Sequence, residues 1–322
     1  MKLYASLLVL GALVVLASLG VGAGSLGDEG LRETLLALRG ARLAASFLAG
    51  AALAVGGVVV QGLLRNPLAS PSILGTTAGA ALGGQLVLLL LPFVALPVRS
   101  EMAVPIGCLI GAMVALLALL ALLRQTNDAV TLLLTGFVLS SLFLAFGSFV
   151  TSLAQNDWEL GRAVVAFSLG GVSSAGTAHV LFALPLVVAG VGAAFGWGKA
   201  LDLLLSGEEE ARSLGVDVPR LRWWSAVWVA TLVAAAVSLG GNVSFVGLVV
   251  PHALRPFAGW SHRRLVPAAA LAGGIFLAAC DVVTRAIPSH GEIPLGVVTG
   301  LVGAPLFLFL LLRQRRAELL RG

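Results

Sequence analysis

The stretch WWSAVWVATLVAAAVSLGGNVSFVGLVVPHALRPF, Trp223 to Phe257, decides the fold. Roughly 35 residues are too many for one membrane helix of ~20, and Gly240, Gly241 and Asn242 interrupt the run. Read as one span, it inverts everything that follows it. Read as two short spans, it returns the chain to the side it came from. The basic residues choose. With two spans, fourteen of the 20 Lys and Arg share one side, against six on the other: Arg32, Arg39, Arg42, Arg99, Arg162 and Arg285. With one span the split becomes eight against twelve. Cytoplasmic loops carry the excess of Lys and Arg. The sequence therefore predicts an all-α polytopic membrane protein with ten transmembrane helices and both termini cytoplasmic.

The rest of the chain agrees. Of its 322 residues, 59% are hydrophobic and only 11% charged, with a mean hydropathy of +1.04. Soluble domains carry about 25% charge, so lipid is the solvent this composition fits. Runs of spanning length fall near 3–23, 41–64, 73–92, 102–123, 130–153, 178–198, 266–285 and 294–312. FSLGGVSSAG, Phe167 to Gly176, reads instead as a short helix or re-entrant piece. The first run, Leu3 to about Gly22, exceeds the ~7–15 residues of a signal-peptide core, so an uncleaved first span is expected. One transmembrane domain, 1–322, accounts for all of it, with a cytoplasmic loop at about 199–223.

The 40 glycines include stripes at Gly75–Gly79–Gly83, Gly107–Gly111, Gly192–Gly196 and Gly296–Gly300. Each places small residues on one helix face, where membrane helices approach closely. GGVVVQGLLRNPLA (Gly56–Ala69) echoes GGNVSFVGLVVPHAL (Gly240–Leu254), leaving open an inverted repeat of the transporter type.

Cys108 and Cys280 lie in separate apolar runs, and His179, His252, His262 and His290 form no ligand cluster. Neither a metal site, a resident cofactor nor a nucleophile–base pair is expected. The +5 net charge follows from the inner-side bias and needs no nucleic acid. The charges within spans lie near helix ends, which disfavours a mid-membrane proton relay.

Three polar constellations remain. KALDLLLSGEEEARSLGVDVPRLRW (199–223) is the longest inner insertion. Leu201, Leu204 and Leu205 form an apolar face, Gly207 turns, and Glu208–Glu210 open a second short helix where acids suit the N-terminal dipole. Gly215 caps that helix and Pro219 stops the pattern. This is either a docking element for a soluble partner or a solvated helical loop. On the outer side Arg39 and Arg42 share one helix face at i,i+3, and Arg285 ends the ninth span. They serve an acidic partner, snorkel at the interface or, for Arg285, pair with Asp281. The connector QGLLRNPLASPSILG (Gln61–Gly75) places Arg65 as an inner anchor, with Pro67 after one helix and Pro71 opening the next.

Four segments resemble the iron-chelate and vitamin B12 permease family, the membrane subunits of type II ABC importers. They are RGARLAASFLAGAALAVGGVVVQGLLRNPLASPSILGTTAGA, GEEEARSLGV, SFVGLVVPHALRPFAGWSHRRLVPAAALAG and EIPLGVVTGLVGAPLFLFLLL, in order over about residues 36–312. The resemblance implies a homodimer in the bacterial cytoplasmic membrane, with two cytoplasmic ATPases that bind ATP and Mg, and one external or periplasmic substrate-binding protein. It implies coupling to the ATPase through Ser206, Gly207, Glu208, Ala211, Leu214, Gly215 and Arg220. Binding-protein docking falls to Arg39, Arg42 and Arg285, and an inner gate to Ala129 and Val130. The family carries siderophore-bound iron, haem or corrinoids. This chain departs from it in three places. Ala41 replaces a proline, Ser261 replaces an acid that would form an inner-face ion pair, and the gate pair is apolar.

With no GxxxxGK[ST] in the chain, ATP is split elsewhere, so a transport subunit rather than an enzyme is expected. The alternative, an ion-coupled secondary transporter or channel, calls for ionisable residues at mid-span.

Overall fold

The computed structural model describes residues 2–22, 27, 29–94, 99–122, 129–172, 175–287 and 293–319. Helix α1 (Lys2–Gly20) is followed by α2 (Glu29–Leu63), a 3-10 turn at Pro71–Leu74, α3 (Thr76–Leu90), α4 (Ser100–Leu122) and α5 (Ala129–Ala154). Next come α6 (Trp158–Leu169), α7 (Thr177–Gly196), α8 (Gly198–Leu205) and α9 (Glu208–Ser213). The chain closes with α10 (Val218–Gly240), α11 (Val246–Ala258), α12 (His262–Ala286) and α13 (Leu295–Leu319). No strand occurs among the described residues.

Eight of these helices, α1, α2, α4, α5, α7, α10, α12 and α13, are long and apolar enough to cross a membrane. The deciding stretch breaks where its sequence breaks. Helix α10 ends at Gly240, and α11 starts at Val246 after a turn through Gly241, whose φ is 63°. The loop after α6 reaches this break, where Gly171 N–H donates to Gly240 O at 2.8 Å, and it also takes the start of α13, where Leu295 N–H donates to Gly170 O at 2.9 Å. Backbone groups freed by interrupting a membrane helix thus find partners inside the protein. The short helix lies earlier than expected: α6 spans Trp158–Leu169, so only Phe167–Leu169 of the Phe167–Gly176 segment are helical and its other described residues form the loop that follows.

Two expected boundaries move. Helix α2 begins at Glu29, so Arg39 and Arg42 lie inside a 35-residue helix rather than at its start. At ~1.5 Å per residue it is about 52 Å long and outreaches the ~30 Å hydrocarbon layer. Ala41 keeps the backbone N–H that a proline lacks, and the helix runs through it unbroken. Helix α3, at 15 residues, is shorter than its expected span.

Helices α2 and α10 form the centre, with 78% and 72% of their most apolar windows buried, whereas α1, α5, α7 and α13 bury only 17–22%. Backbone contact builds this centre. A Cβ on Gly50 would fall on the Gly273 carbonyl, and one on Gly57 on the Gly247 carbonyl, so α2 touches both α12 and α11 without side chains between. The two expected stripes on α3 and α4 meet each other, Gly79 against Gly111 and Gly83 against Gly107. Gly192, Gly196 and Gly300 face open space, so those stripes pack against nothing described, while Gly296 abuts Leu169 and Asn242. The two echoing segments are also in contact, through Gly57 and Gly247.

Candidate functional site

Arg39, Arg42 and Arg285, about 240 residues apart in the chain, converge at one end of the bundle. Arg39 lies buried and donates through Nη1 to Leu19 O (2.6 Å) and Gly20 O (3.3 Å), and through Nη2 to Gly22 O (3.2 Å). Arg285 donates through Nη1 to Ser18 O (3.0 Å) and Val21 O (2.7 Å), and through Nη2 to Ser18 Oγ (2.8 Å). A helix leaves its last carbonyls without intrahelical donors, and these two guanidiniums supply them for α1. Asp281 holds the cluster together. Its carboxylate, 1% exposed, accepts from Arg42 Nε at 2.9 and 3.2 Å and faces Arg285 Nη2 at 3.0 Å. The Arg285–Asp281 pair was foreseeable at i,i+4. The reach of Arg42 across from α2 was not, because nothing local in the sequence marks a partner on another helix.

At the opposite ends of α2 and α12 sits the connector. Leu201 and Leu204 of α8 are fully buried, so this helix is part of the packed core and not a solvated loop. Helix α9 starts at Glu208 as its acids require. It closes in a paired-bond C-cap: Gly215 N–H donates to Arg212 O and Val216 N–H to Ala211 O, each 3.0 Å, with Gly215 at φ 85°. Pro219 opens α10 in its first turn, behind the Asp217 cap, rather than merely ending α9. Glu208 bonds Arg222 of α10 and lies 3.8 Å from Arg212.

Five of the seven expected coupling residues line two cavities. Ser206, Gly207 and Glu208 line a polar groove of about 690 Å³ that Arg65, from the Gln61–Gly75 connector, also lines. Gly215 and Arg220 line one of about 470 Å³ with Trp197 and Trp224. Ala211 is buried beneath α9, and Leu214 stands exposed. Arg65 itself is left-handed, at φ 49°, and closes α2 with the same paired bonds, Arg65 N–H to Gly62 O and Asn66 N–H to Gln61 O.

One residue escaped the sequence reading. Asp202, an acid among the leucines of α8, accepts from His262 N–H (2.8 Å), His262 Nδ1 (2.6 Å) and Ser261 Oγ (3.0 Å). It supplies from another helix the carboxylate that Ser261 does not. Burial pushes its carboxyl up, but the bonds from His262 and Ser261 outweigh this and hold it below the ordinary value of 3.8. The only signal was an acid interrupting an apolar helical face. Buried polar links of the same hidden kind join Arg255 to Gln61 (2.7 Å), beneath Trp260, and Gln85 to Ser168 (2.6 Å).

The gate pair falls at the edge of the description. Ala129 and Val130 start α5, but their side chains lie outside the described residues, as does His290. Among the described residues no three His, Cys, Asp or Glu gather as metal ligands.

An all-helical chain with eight helices long and apolar enough to span, a helical insertion and these four motifs has known counterparts. Residues 4–313 match the model of the FecCD transport family. The chain belongs to that family. This FecCD permease is 38% identical over 281 residues to the Fe(3+) dicitrate transport system permease protein FecD of Escherichia coli, covering 87% of this chain and 86% of that one. It is also 38% identical over 281 residues to the cobalamin import system permease protein BtuC of Halobacterium salinarum, covering 87% and 73%. Among solved structures, a metal-chelate type ABC transporter in an inward-facing conformation superposes with a TM-score of 0.85 at 30% identity, over 96% of this chain and 98% of that one. The FecCD permease is thus a multi-pass membrane transport subunit.

Proposed function

We propose that this chain is the membrane permease of a type II ABC importer that moves a metal chelate inward, driven by ATP hydrolysis in partner subunits. In this reading α3 and α11 complete ten spans, both termini are cytoplasmic, and the chain is a single permease domain of the bacterial cytoplasmic membrane. It works as a homodimer with two ATPases, which bind ATP and Mg, and one external substrate-binding protein. Arg39, Arg42 and Arg285 receive acids of the binding protein, the Ser206–Arg220 connector seats in the ATPase, and Ala129 and Val130 form an apolar inner gate.

The observation that carries the reading is the pairing of two built surfaces on opposite ends of the same helices. A helix–turn–helix fixed on the core by Leu201 and Leu204 presents an exposed Leu214 and the acids of α9. A cluster of three arginines around one carboxylate stands at the far end, with net positive charge to attract acids. Asp281, the acid of that cluster among the described residues, is held by two arginines, which disfavours it as a proton carrier for an ion-coupled transporter. Among the cargoes, relatives named for ferric dicitrate and for cobalamin are equally similar, so the cargo class is a metal chelate of either kind.

Reconstitution in vesicles with the cognate ATPase and binding protein tests it. ATP-dependent uptake of labelled ferric siderophore, haem or cobalamin is expected. Failure to associate with any ATPase, or hydrolysis indifferent to deletion of Glu208–Arg220, overturns the reading.

A further inference from the structure

The same two helices that hold the outer arginine cluster also receive the connector at their other ends. Helix α12 carries His262 as its first residue and Asp281, Thr284 and Arg285 in its last turns. Helix α2 carries Arg39 and Arg42 toward one end and Gln61 and Gly62 at the other. Between these ends the helices are in backbone contact at Gly50 and Gly273, which leaves no soft side-chain layer to absorb motion. We infer that α2, α12 and α8 move as one body, and that Asp202 and His262 are the joint through which an event at the outer cluster reaches the connector.

The geometry of the joint supports this. One Asp202 carboxylate takes the backbone N–H and the ring Nδ1 of His262 and the hydroxyl of Ser261, so α8 caps the N-terminus of α12 from another part of the chain. His262 is fully buried, and its Nε2 edge fills the space where Gly62 lacks a side chain, so the ring also abuts α2. On its other side Gly198, at the start of α8, lets the backbone of Arg263 approach: a Cβ there would stand 3.0 Å from Arg263 N. Helix α8 packs against both α2 and α12. A coupling element requires two sites biasing one shared body, and here that body is continuous from Asp281 to Asp202. Asp202 touches neither partner surface proposed above. It is a positioning residue, and the proposal rests on the importer reading.

The test separates coupling from stability. In the assembled transporter, stimulation of ATP hydrolysis by the loaded binding protein is compared for the wild type, Asp202→Ala and Asp202→Ala/Ser261→Asp. Asp202→Ala is expected to retain ATPase association and basal hydrolysis while stimulation falls about fivefold or more. Ser261→Asp in that background restores a carboxylate cap to α12, but from α12 itself. It is expected to recover thermal stability without recovering stimulation. Stimulation that persists in Asp202→Ala overturns the joint and leaves the importer reading intact, as does stimulation that returns together with stability in the double variant. A wild-type chain that binds no ATPase overturns both.

Discussion

Arg42 of α2 and Asp281 of α12 join two helices through a carboxylate that is almost wholly removed from solvent, with Nε 2.9 and 3.2 Å from its oxygens. The pair also fixes Arg285, which in turn closes the end of α1. Removing one member of a buried ion pair leaves an uncompensated charge and costs about 3–5 kcal/mol. Asp281→Ala strands two guanidiniums and is expected to lower the unfolding midpoint in detergent sharply. Arg42→Ala should cost less, since the buried Asp281 carboxylate keeps its pairing with Arg285 Nη2 at 3.0 Å. An Asp281→Ala protein that melts with the wild type contradicts this account.

The glycine contacts make a graded prediction. Gly57→Val forces a side chain into the Gly247 carbonyl and must push α2 from α11. Overpacking costs about 1–3 kcal/mol in a soluble core, and backbone-on-backbone contact should place this variant at or beyond the upper end. Gly192→Val meets open space and is expected to leave stability within about 0.5 kcal/mol. Size-exclusion profiles and melting curves of the two variants check it, and equal behaviour would refute the packing argument.

These contacts also show what was legible in the chain. Composition, the break at Gly240–Asn242, the α8–α9 connector and the α3–α4 glycine stripes follow from local pattern and charge bias. Gly192–Gly196 has the same spacing as Gly107–Gly111 but meets nothing among the described residues, because spacing defines a face and not its neighbour. The same blindness hid the pairing of Asp202 with His262 and of Arg255 with Trp260. Such pairs arise from helices adjacent in space and distant in sequence, which period and propensity do not encode.

Arg65 occupies the left-handed position of the α2 cap, at φ 49°. Left-handed backbone costs an ordinary L-residue about 1 kcal/mol or more, and glycine avoids it. Arg65→Gly is expected to raise stability by up to about 1 kcal/mol, measured by denaturant midpoints in detergent. A lower midpoint would mean that the Arg65 side chain contributes more at the α9 groove than its backbone costs.

Asp202 gives the joint a pH dependence of known sign. Its folded pKa is depressed below 3.8 because the donors from His262 and Ser261 outweigh the upward effect of burial. A depressed carboxyl contributes stability that is fully present above its unfolded pKa and is lost as pH falls through its folded value. The stability gap between wild type and Asp202→Asn should therefore be steady at neutral pH and shrink as pH drops below about 3.8. Scanning calorimetry across that range measures it, and a gap that widens in acid would reverse the assignment.

The three clustered arginines differ in what they can offer the binding protein proposed above. Arg39 and Arg285 spend their donors on the carbonyls of α1, so altering them disturbs the fold before it disturbs docking. Arg42 bonds only side chains in the bonds described above, retains exposure, and is the cleanest probe of the surface. Arg42→Gln keeps a polar, hydrogen-bonding side chain and removes the charge. Docking of an acidic binding protein should weaken roughly five- to tenfold at low ionic strength. The difference should fade in about 1 M salt, where the Debye length falls to ~3 Å. Binding-protein affinity measured by surface plasmon resonance on reconstituted nanodiscs reads both effects, with melting of Arg42→Gln as the control for folding. A folded variant that docks with wild-type affinity at low salt sinks the docking role of this cluster, because the one guanidinium it leaves accessible would then contribute nothing to the encounter.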